Sequence, residues 1–253
     1  MPPTLREWLA EAPFALGMSS GFFAFFAHAG VLEVLEQRGL RPTLRAAGSS
    51  AGALVLGLWA GGMEAAQIGE ELSRLRRADF WDPAPGPGLL RGRRFRERVG
   101  SLLRVGRFEE TRVPVAVSSY DLLARRTRVL ERGPLARGIC ASCAVPLLFQ
   151  PVWIDNRPHL DGGVADRPGL AGIPAGTRLL FHHIASRSPW RRRGGSAMRI
   201  PERPEMTALV IEGLPRVHPF ALERGPRARD LARWAAEAAL DRPVVDGRVR
   251  LVA

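Results

Sequence analysis

The stretch that decides the fold is Leu44-Arg45-Ala46-Ala47-Gly48-Ser49-Ser50-Ala51-Gly52, which is followed by the apolar run Ala53 to Ala60. An apolar strand, small residues around a serine and an apolar helix form the pattern of a nucleophile elbow, in which a serine lies on a sharp strand-to-helix turn. Positions two before and two after that serine favour glycine, because the turn brings other backbone close on both sides. Gly48 and Gly52 occupy those positions, so Ser50 is the candidate nucleophile.

The same turn predicts where an oxyanion would be stabilised. A helix that begins at the serine directs free N–H groups and the positive end of its dipole toward an oxyanion formed there, which makes the N–H of Ala51 a candidate donor. Upstream, a predicted strand at 13–18 leads through a Ser-Ser-Gly turn into a predicted helix from about Phe22 to Arg38. This turn can place the N–H groups of Gly21 and Phe22 beside the elbow, while His28 is expected to be a buried helix histidine rather than a base.

A second candidate for chemistry lies further along the chain. The apolar extended run at 147–154 is followed by Asp161-Gly162-Gly163. An aspartate followed by two glycines forms a turn that presents the carboxylate with little steric cover, and chance gives only about 0.1 such triplets in a chain of this composition. Asp161 is therefore singled out together with Ser50.

Strand and helix patterns alternate through the chain. Further strands are predicted at 113–120, 127–130, 178–184 and 207–211, and further helices at 63–76, 91–107, 134–144 and 226–240. Such alternation predicts an α/β protein with three layers, α/β/α, around a mostly parallel central sheet. We expect one domain over residues 1–253, with a motif-bearing core at about 14–166.

The charge of the chain bears on its partners. All 37 basic side chains are arginine and the formal net charge is +12, so the surface attracts anions such as phospholipid headgroups. The predicted basic amphipathic helix at 91–107 follows a Pro/Gly-rich loop, and 83–107 is a candidate flap or membrane-facing segment. Its other interpretation is an ordinary surface helix packed on the core. No zinc finger or RNA-recognition signature is present, so nucleic acid is not an expected partner.

The cysteines and the N-terminus limit the remaining possibilities. Cys140 and Cys143 are the two cysteines, too few to complete a zinc site by themselves, and they are expected to be small buried residues. No metal or cofactor is expected. The N-terminus lacks the pattern of a signal peptide, and the apolar stretches are too short to span a bilayer, so a cytoplasmic protein is expected.

Taken in order, four segments of this chain resemble the patatin-like phospholipase family. They are His28-Ala29-Gly30-Val31-Leu32, the elbow at 48–52, Ala141-Ser142-Cys143-Ala144-Val145-Pro146 with Phe149-Gln150-Pro151-Val152, and Asp161-Gly162-Gly163. The resemblance implies a patatin-like fold and a lipid or acyl-ester substrate. It also implies a serine–aspartate dyad, in which Ser50 attacks the ester, Asp161 takes its proton without a histidine, and backbone N–H groups bind the oxyanion.

The resemblance leaves alternatives open. The family's oxyanion loop is a run of three glycines, one variable residue, then a basic residue and glycine, whereas the aligned stretch here is Ser20-Gly21-Phe22-Phe23-Ala24-Phe25. This departure favours, as one alternative, a catalytically weak patatin-like protein that acts as an interaction module at a membrane surface. Another alternative is a Ser–Asp–His triad, which would use His182, His183 or His218.

Overall fold

A computed structural model describes residues 1–185 and 199–253, so the run Arg191-Arg192-Arg193, for which the sequence pattern predicts a loop, lies outside the described residues. The helices are α1 (Leu5–Glu11), α2 (Phe25–Gln37), α3 (Ala51–Ala60), α4 (Ala65–Ser73), α5 (Arg93–Leu102), α6 (Leu135–Ser142) and α7 (Gly225–Leu240). The strands are β1 (Ala15–Met18), β2 (Ala46–Ser49), β3 (Gly88–Leu90), β4 (Val115–Asp121), β5 (Arg126–Leu130), β6 (Leu147–Phe149), β7 (Val152–Ile154), β8 (Arg157–Asp161), β9 (Leu179–Ile184), β10 (Met206–Glu212) and β11 (Arg248–Val252).

Nine strands of the described residues form one sheet in the order β11-β10-β9-β1-β2-β4-β8-β7, and β5 also pairs with β4. The strands from β11 to β4 in this order are parallel to one another. Strands β5 and β8 run antiparallel to β4, and β7 runs antiparallel to β8. A mostly parallel sheet with flanking helices confirms the expected three-layer α/β/α fold.

Successive residues of each central strand point to opposite faces, as a pleated strand requires. Leu16 and Met18 of β1 belong to the large core that packs against the helices, whereas Ala15 belongs to a smaller core on the other face. In that smaller core, Leu170 and Ile173 from the connection between β8 and β9 pack on the alanines of the central strands. The sheet is therefore buried on both faces, as expected for parallel strands.

The helix after β1 begins later than predicted, at Phe25 rather than Phe22. Phe23 has a φ of 54°, and the N–H of Ala24 donates to the carbonyl of Gly21 (3.0 Å), so residues 21–24 form a tight turn. A phenylalanine with positive φ is not favoured by its own sequence, which explains why the pattern did not predict this turn.

The basic helix is shorter than the predicted 91–107. It ends at Leu102 because Leu103 is extended (φ −77°, ψ 135°) and the N–H of Arg104 donates to the carbonyl of Gly61 (3.0 Å). The predicted run at 147–154 is two strands, β6 and β7.

Helix α1 and strand β11 were not predicted. A capping box between Thr4 and Glu7 begins α1, and this Thr-x-x-Glu pattern was the signal for it. Within the described residues, no helix combines the length and apolar character needed to cross a membrane.

Candidate active site

Ser50 lies between the last residue of β2 and the first residue of α3, as the elbow pattern predicts. Its φ of 51° and ψ of −113° lie in a region that costs a non-glycine residue about 1–3 kcal/mol. A Cβ placed on Gly48 would lie 2.6 Å from the carbonyl carbon of Gly52, and one on Gly52 would lie 2.2 Å from the oxygen of Met18. The two motif glycines therefore give the turn the space that it needs.

Both polar groups of the Ser50 backbone bond to the C-terminal end of α6. The N–H of Ser50 donates to Oγ of Ser142 (2.9 Å), and the thiol of Cys143 donates to the carbonyl of Ser50 (3.2 Å from Sγ). Ser142 is fully buried. The sequence predicted a helix over 134–144 and a family motif across Ser142 and Cys143, but it gave neither side chain a role at Ser50.

Asp161 lies near Ser50 because β8, which ends at Asp161, pairs with β4 in the direction opposite to β2. The parallel pairing of β2 with β4 ends at Ser49 opposite Ser118, and the antiparallel pairing of β8 ends at Asp161 opposite Ser119. The strand that carries the nucleophile and the strand that carries the aspartate therefore end beside consecutive residues of one neighbour. This register brings the two motifs together although 111 positions separate them.

The glycines after Asp161 allow this meeting of strands. A Cβ on Gly162 would lie 2.1 Å from the carbonyl oxygen of Ser118 and 2.7 Å from Oγ of Ser49, so only glycine fits against the end of β2. The N–H of Gly163 donates to Oδ1 of Asp161 (2.8 Å), which fixes the direction of the carboxylate.

Asp161 is 5% exposed, and its N–H donates to the carbonyl of Ala144 (2.8 Å). Desolvation raises the pKa of the Cys143 thiol well above its usual value, and the negative charge of Asp161 raises it further. The thiol of Cys143 therefore interacts electrostatically with the carboxylate of Asp161 and donates a hydrogen bond to the carbonyl of Ser50. Its side chain thus contacts one candidate catalytic residue and lies near the other.

A cavity of about 90 Å³ opens in front of Ser50, and Gly21, Phe22 and Ala51 line it together with the serine. The predicted nucleophile and all three predicted oxyanion residues thus share one cavity. The rest of its wall is mainly apolar and comes from α3, α4, α5 and the region of β6, including Leu54, Leu58, Leu72, Phe95, Val99 and Leu148. Glu71 and Arg98 form an ion pair where they line this wall.

The N–H of Ser50 is used by Ser142 and therefore does not face an oxyanion. The next N–H, that of Ala51, lies at the start of α3, where the helix dipole favours negative charge. In a nucleophile elbow the residue after the serine supplies this donor. The oxyanion role of Ala51 stays a prediction.

The histidines lie apart from this cavity. Nε2 of His28 bonds the carbonyl of Ser19 (2.8 Å), which makes it the protonated nitrogen, and Nδ1 of His28 lies 2.9 Å from Nδ1 of His182. Both side chains are fully buried, and burial lowers the pKa of His28 to about 4. His28 is thus a bonded core histidine, as expected. Among the cavity-lining residues of the described chain there is no histidine.

In residues 1–185 and 199–253, no three histidine, cysteine, aspartate or glutamate side chains come together in a way that could hold a metal ion.

A mostly parallel sheet, a serine on a strained strand-to-helix turn and an apolar cavity before it define an α/β protein with a nucleophile elbow. The sequence model of one family, described as patatin-like phospholipase, matches residues 16–171, and the chain belongs to this family. The matched residues span every motif of the candidate site.

Some curated relatives of this chain are mycobacterial proteins. The chain is 33% identical over 176 residues to uncharacterized NTE family proteins of Mycobacterium bovis and of Mycobacterium tuberculosis, which covers 68% of this chain and 49% of each relative. The chain thus spans about half the length of the curated relatives that it matches. Among solved structures, VipD from Legionella pneumophila shares the fold, with a TM-score of 0.54 and 14% identity over 81% of this chain and 51% of VipD.

Proposed function

We propose that this protein is a lipid acyl hydrolase that cleaves a carboxylic ester, of phospholipase A or simple carboxylester type, through a Ser50–Asp161 dyad. The observation that carries the proposal is a serine on a strained elbow that opens into an apolar cavity. A strained turn is retained where it aims a reactive group, and an apolar cavity suits an acyl chain.

In the proposed reaction, Oγ of Ser50 attacks the ester carbonyl while Asp161 accepts the hydroxyl proton. The N–H groups of Gly21, Phe22 and Ala51 stabilise the tetrahedral oxyanion. Collapse of this intermediate breaks the ester bond, and the leaving alkoxide takes the proton from Asp161. Water, deprotonated by Asp161, then attacks the acyl-enzyme, and the fatty acid leaves as Ser50 regains its proton. The scheme uses no metal or cofactor.

The apolar lining of the cavity suits an acyl chain better than a polar headgroup. Leu54 and Leu58 follow Ser50 at successive turns of α3 and line the cavity with it. Eight residues of helix rise about 12 Å, so the apolar wall runs about that far from the nucleophile. The polar part of an ester would then remain toward solvent.

The test is turnover of acyl esters of increasing chain length and of phospholipid vesicles by the parent and its variants. We expect turnover by the parent that rises with chain length, and a loss of at least about 10³-fold in Ser50→Ala and Asp161→Asn. Ser101→Ala is the matched control, because Ser101 is an exposed serine that bonds the carbonyl of Arg98. Activity that survives Ser50→Ala would refute the proposal.

The same assay addresses the triad alternative. His183 is buried, and His218 is exposed. With a dyad, His182→Asn, His183→Asn and His218→Asn retain the activity of the parent per folded molecule; with a triad, one of the three matches Ser50→Ala.

A second candidate function is contact with an anionic membrane by a protein of weak catalytic activity. It is favoured by exposed apolar residues beside the basic helix: Leu89 of β3 is 49% exposed and Leu147 of β6 is 75% exposed, and these strands pair with each other. Leu148, next to Leu147, lines the cavity. A membrane bound by this face would therefore lie near the cavity. Vesicle binding without turnover by the parent would favour this candidate.

A further inference from the structure

Three consecutive residues at the end of α6 each bond a different group of the candidate dyad. Ser142 accepts from the N–H of Ser50 (2.9 Å), Cys143 donates to the carbonyl of Ser50 (3.2 Å), and the carbonyl of Ala144 accepts from the N–H of Asp161 (2.8 Å). We call residues 142–144 the bracket.

The bracket acts on the strained part of the elbow. Ser50 holds φ 51° and ψ −113°, and a serine released from its neighbours would relax toward more favourable angles. Hydrogen bonds to both polar groups of its backbone oppose that relaxation. Ser50 is 8% exposed, so water is poorly placed to replace these bonds.

The bracket also relates the nucleophile to the base. Ser50 follows β2 and Asp161 ends β8, so the distance between them depends on the groups that bond both residues. Since one short segment bonds the backbones of both, a shift of that segment changes their relative position.

We propose that Ser142 and Cys143 are positioning residues that hold Ser50 in its reactive backbone conformation. Because the adjacent Ala144 bonds the N–H of Asp161, the same segment also fixes the position of Ser50 relative to Asp161. This inference rests on the proposed hydrolase function. Neither side chain exchanges a proton with the substrate in this account.

The chemistry of each side chain suits this role. By occupying the N–H of Ser50, Ser142 leaves the N–H of Ala51 as the elbow's donor to an oxyanion. Cys143 serves as a donor because its raised pKa keeps the thiol protonated at neutral pH. A thiolate there would instead repel the carbonyl of Ser50 and the carboxylate of Asp161.

The experiment measures kcat and KM separately for a short acyl ester in four variants of the full chain. Ser142→Ala and Cys143→Ala remove one bond each, while Cys143→Ser keeps a donor of similar size. Cys140→Ala is the matched control, because Cys140 is a buried thiol one turn earlier in α6 that packs in the large core.

We expect Ser142→Ala to lower kcat about tenfold and Cys143→Ala severalfold, with KM within about twofold of the parent, since one buried hydrogen bond is lost in each. Cys143→Ser should recover the kcat of the parent, and Cys140→Ala should retain it. A general loss of folded protein would not reproduce this pattern of rescue and control.

Amide hydrogen exchange provides a measurement independent of turnover. Ser142→Ala should speed exchange at the Ser50 amide at least tenfold while leaving β9 and β10 unchanged. A parent that turns over, with Ser142→Ala equal to it in kcat and in exchange at Ser50, would overturn the bracket alone. A parent without turnover would refute the proposed function, and unchanged exchange at Ser50 in Ser142→Ala would then overturn the bracket as well.

Discussion

At the scale of single residues, Ser50 has a strained backbone conformation that hydrogen bonds from neighbouring residues hold in place. Its backbone angles are unfavourable by about 1–3 kcal/mol. Glycines at 48 and 52 avoid the steric clashes that larger residues would create in this turn. Hydrogen bonds with Ser142 and Cys143 hold the N–H and the carbonyl of Ser50. The serine proposed to react is thus held at both its N–H and its carbonyl, which favours a preorganised site.

Beneath the turn at residues 19–24, His28 and His182 form a buried pair of neutral rings. Nε2 of His28 donates to the carbonyl of Ser19, so its Nδ1 must accept a hydrogen bond from the N–H at Nδ1 of His182. Protonation of either ring would disturb this arrangement, and Ser19 links it to the turn that carries Gly21 and Phe22.

This pair predicts acid sensitivity of folding. Burial lowers the pKa of His28 from 6.5 to about 4 and that of His182 well below its usual value. Between about pH 6.5 and pH 4 the unfolded chain binds more protons than the folded chain. The free energy of unfolding therefore has its full value above about pH 6.5 and decreases as the pH falls toward 4. The full loss from His28 alone would be about 3 kcal/mol. Urea unfolding at pH 7.5, 6 and 5 measures it.

The controls for that measurement are two histidine variants. His28→Gln removes one titrating group and should show a shallower dependence of the free energy of unfolding on pH, even if its stability at pH 7.5 is lower. His218→Gln alters an exposed histidine and should keep the dependence of the parent. Equal pH dependence in His28→Gln and the parent would contradict this assignment.

At the scale of elements, the site is a meeting of two strand ends on β4. β2 arrives in parallel and β8 in antiparallel, and Gly162 packs against both Ser118 and Ser49 at the junction. The geometry of the dyad therefore depends on backbone packing as much as on side chains.

Gly162→Ala tests this junction. The added methyl would lie 2.1 Å from the carbonyl oxygen of Ser118, so the end of β8 must move. We expect a loss of about 1–3 kcal/mol in the free energy of unfolding, together with loss of ester turnover. The measurements are urea unfolding and the ester assay.

Gly100→Ala is the matched control for this substitution. Gly100 lies within α5 with open space around it, and alanine there should stabilise the helix by about 0.5–1 kcal/mol without affecting turnover. A Gly162→Ala protein as stable and active as the parent would contradict the role of the junction.

The elements also show what could be predicted from the sequence. The elbow, α3 and the alternation of strands and helices are local patterns, and all were predicted correctly. The Asp-Gly-Gly triplet singled out Asp161 and the family resemblance implied its role, but no local signal gave its register on β4. The bond from Ser50 to Ser142 joins residues 92 positions apart, and the positive φ of Phe23 depends on tertiary contacts, so neither could be predicted from periodicity.

At the scale of the whole molecule, the positive charge is concentrated where the cavity is built. Eight arginines and three carboxylates lie within residues 76–104, the segment that contributes α5 and β3. Arg91, Arg93, Arg94 and Arg96 are exposed there, close in sequence to the exposed Leu89. An anionic membrane would complement both the charge and the apolar residues.

We predict that the protein binds vesicles of phosphatidylcholine and phosphatidylglycerol more tightly than vesicles of phosphatidylcholine alone. The double variant Arg91→Gln/Arg96→Gln should weaken binding to the anionic vesicles by about 30-fold, since each arginine near such a surface contributes about 1 kcal/mol. Added salt should reduce the difference between the two proteins. Cosedimentation measures the binding.

Arg125→Gln/Arg126→Gln is the matched control, because these exposed arginines lie at the turn between β4 and β5. It removes the same charge from a different surface. If both double variants lost the same affinity, net charge alone would explain the binding, and the proposed membrane face would be wrong.

Covalent labelling of the purified parent by a fluorophosphonate probe, with the adduct located by mass spectrometry, decides whether Ser50 is an activated nucleophile. We predict one adduct, on Ser50, that Ser50→Ala abolishes and Asp161→Asn slows by at least about 10²-fold. A folded parent that stays unlabelled, or an adduct on another residue, would contradict this prediction.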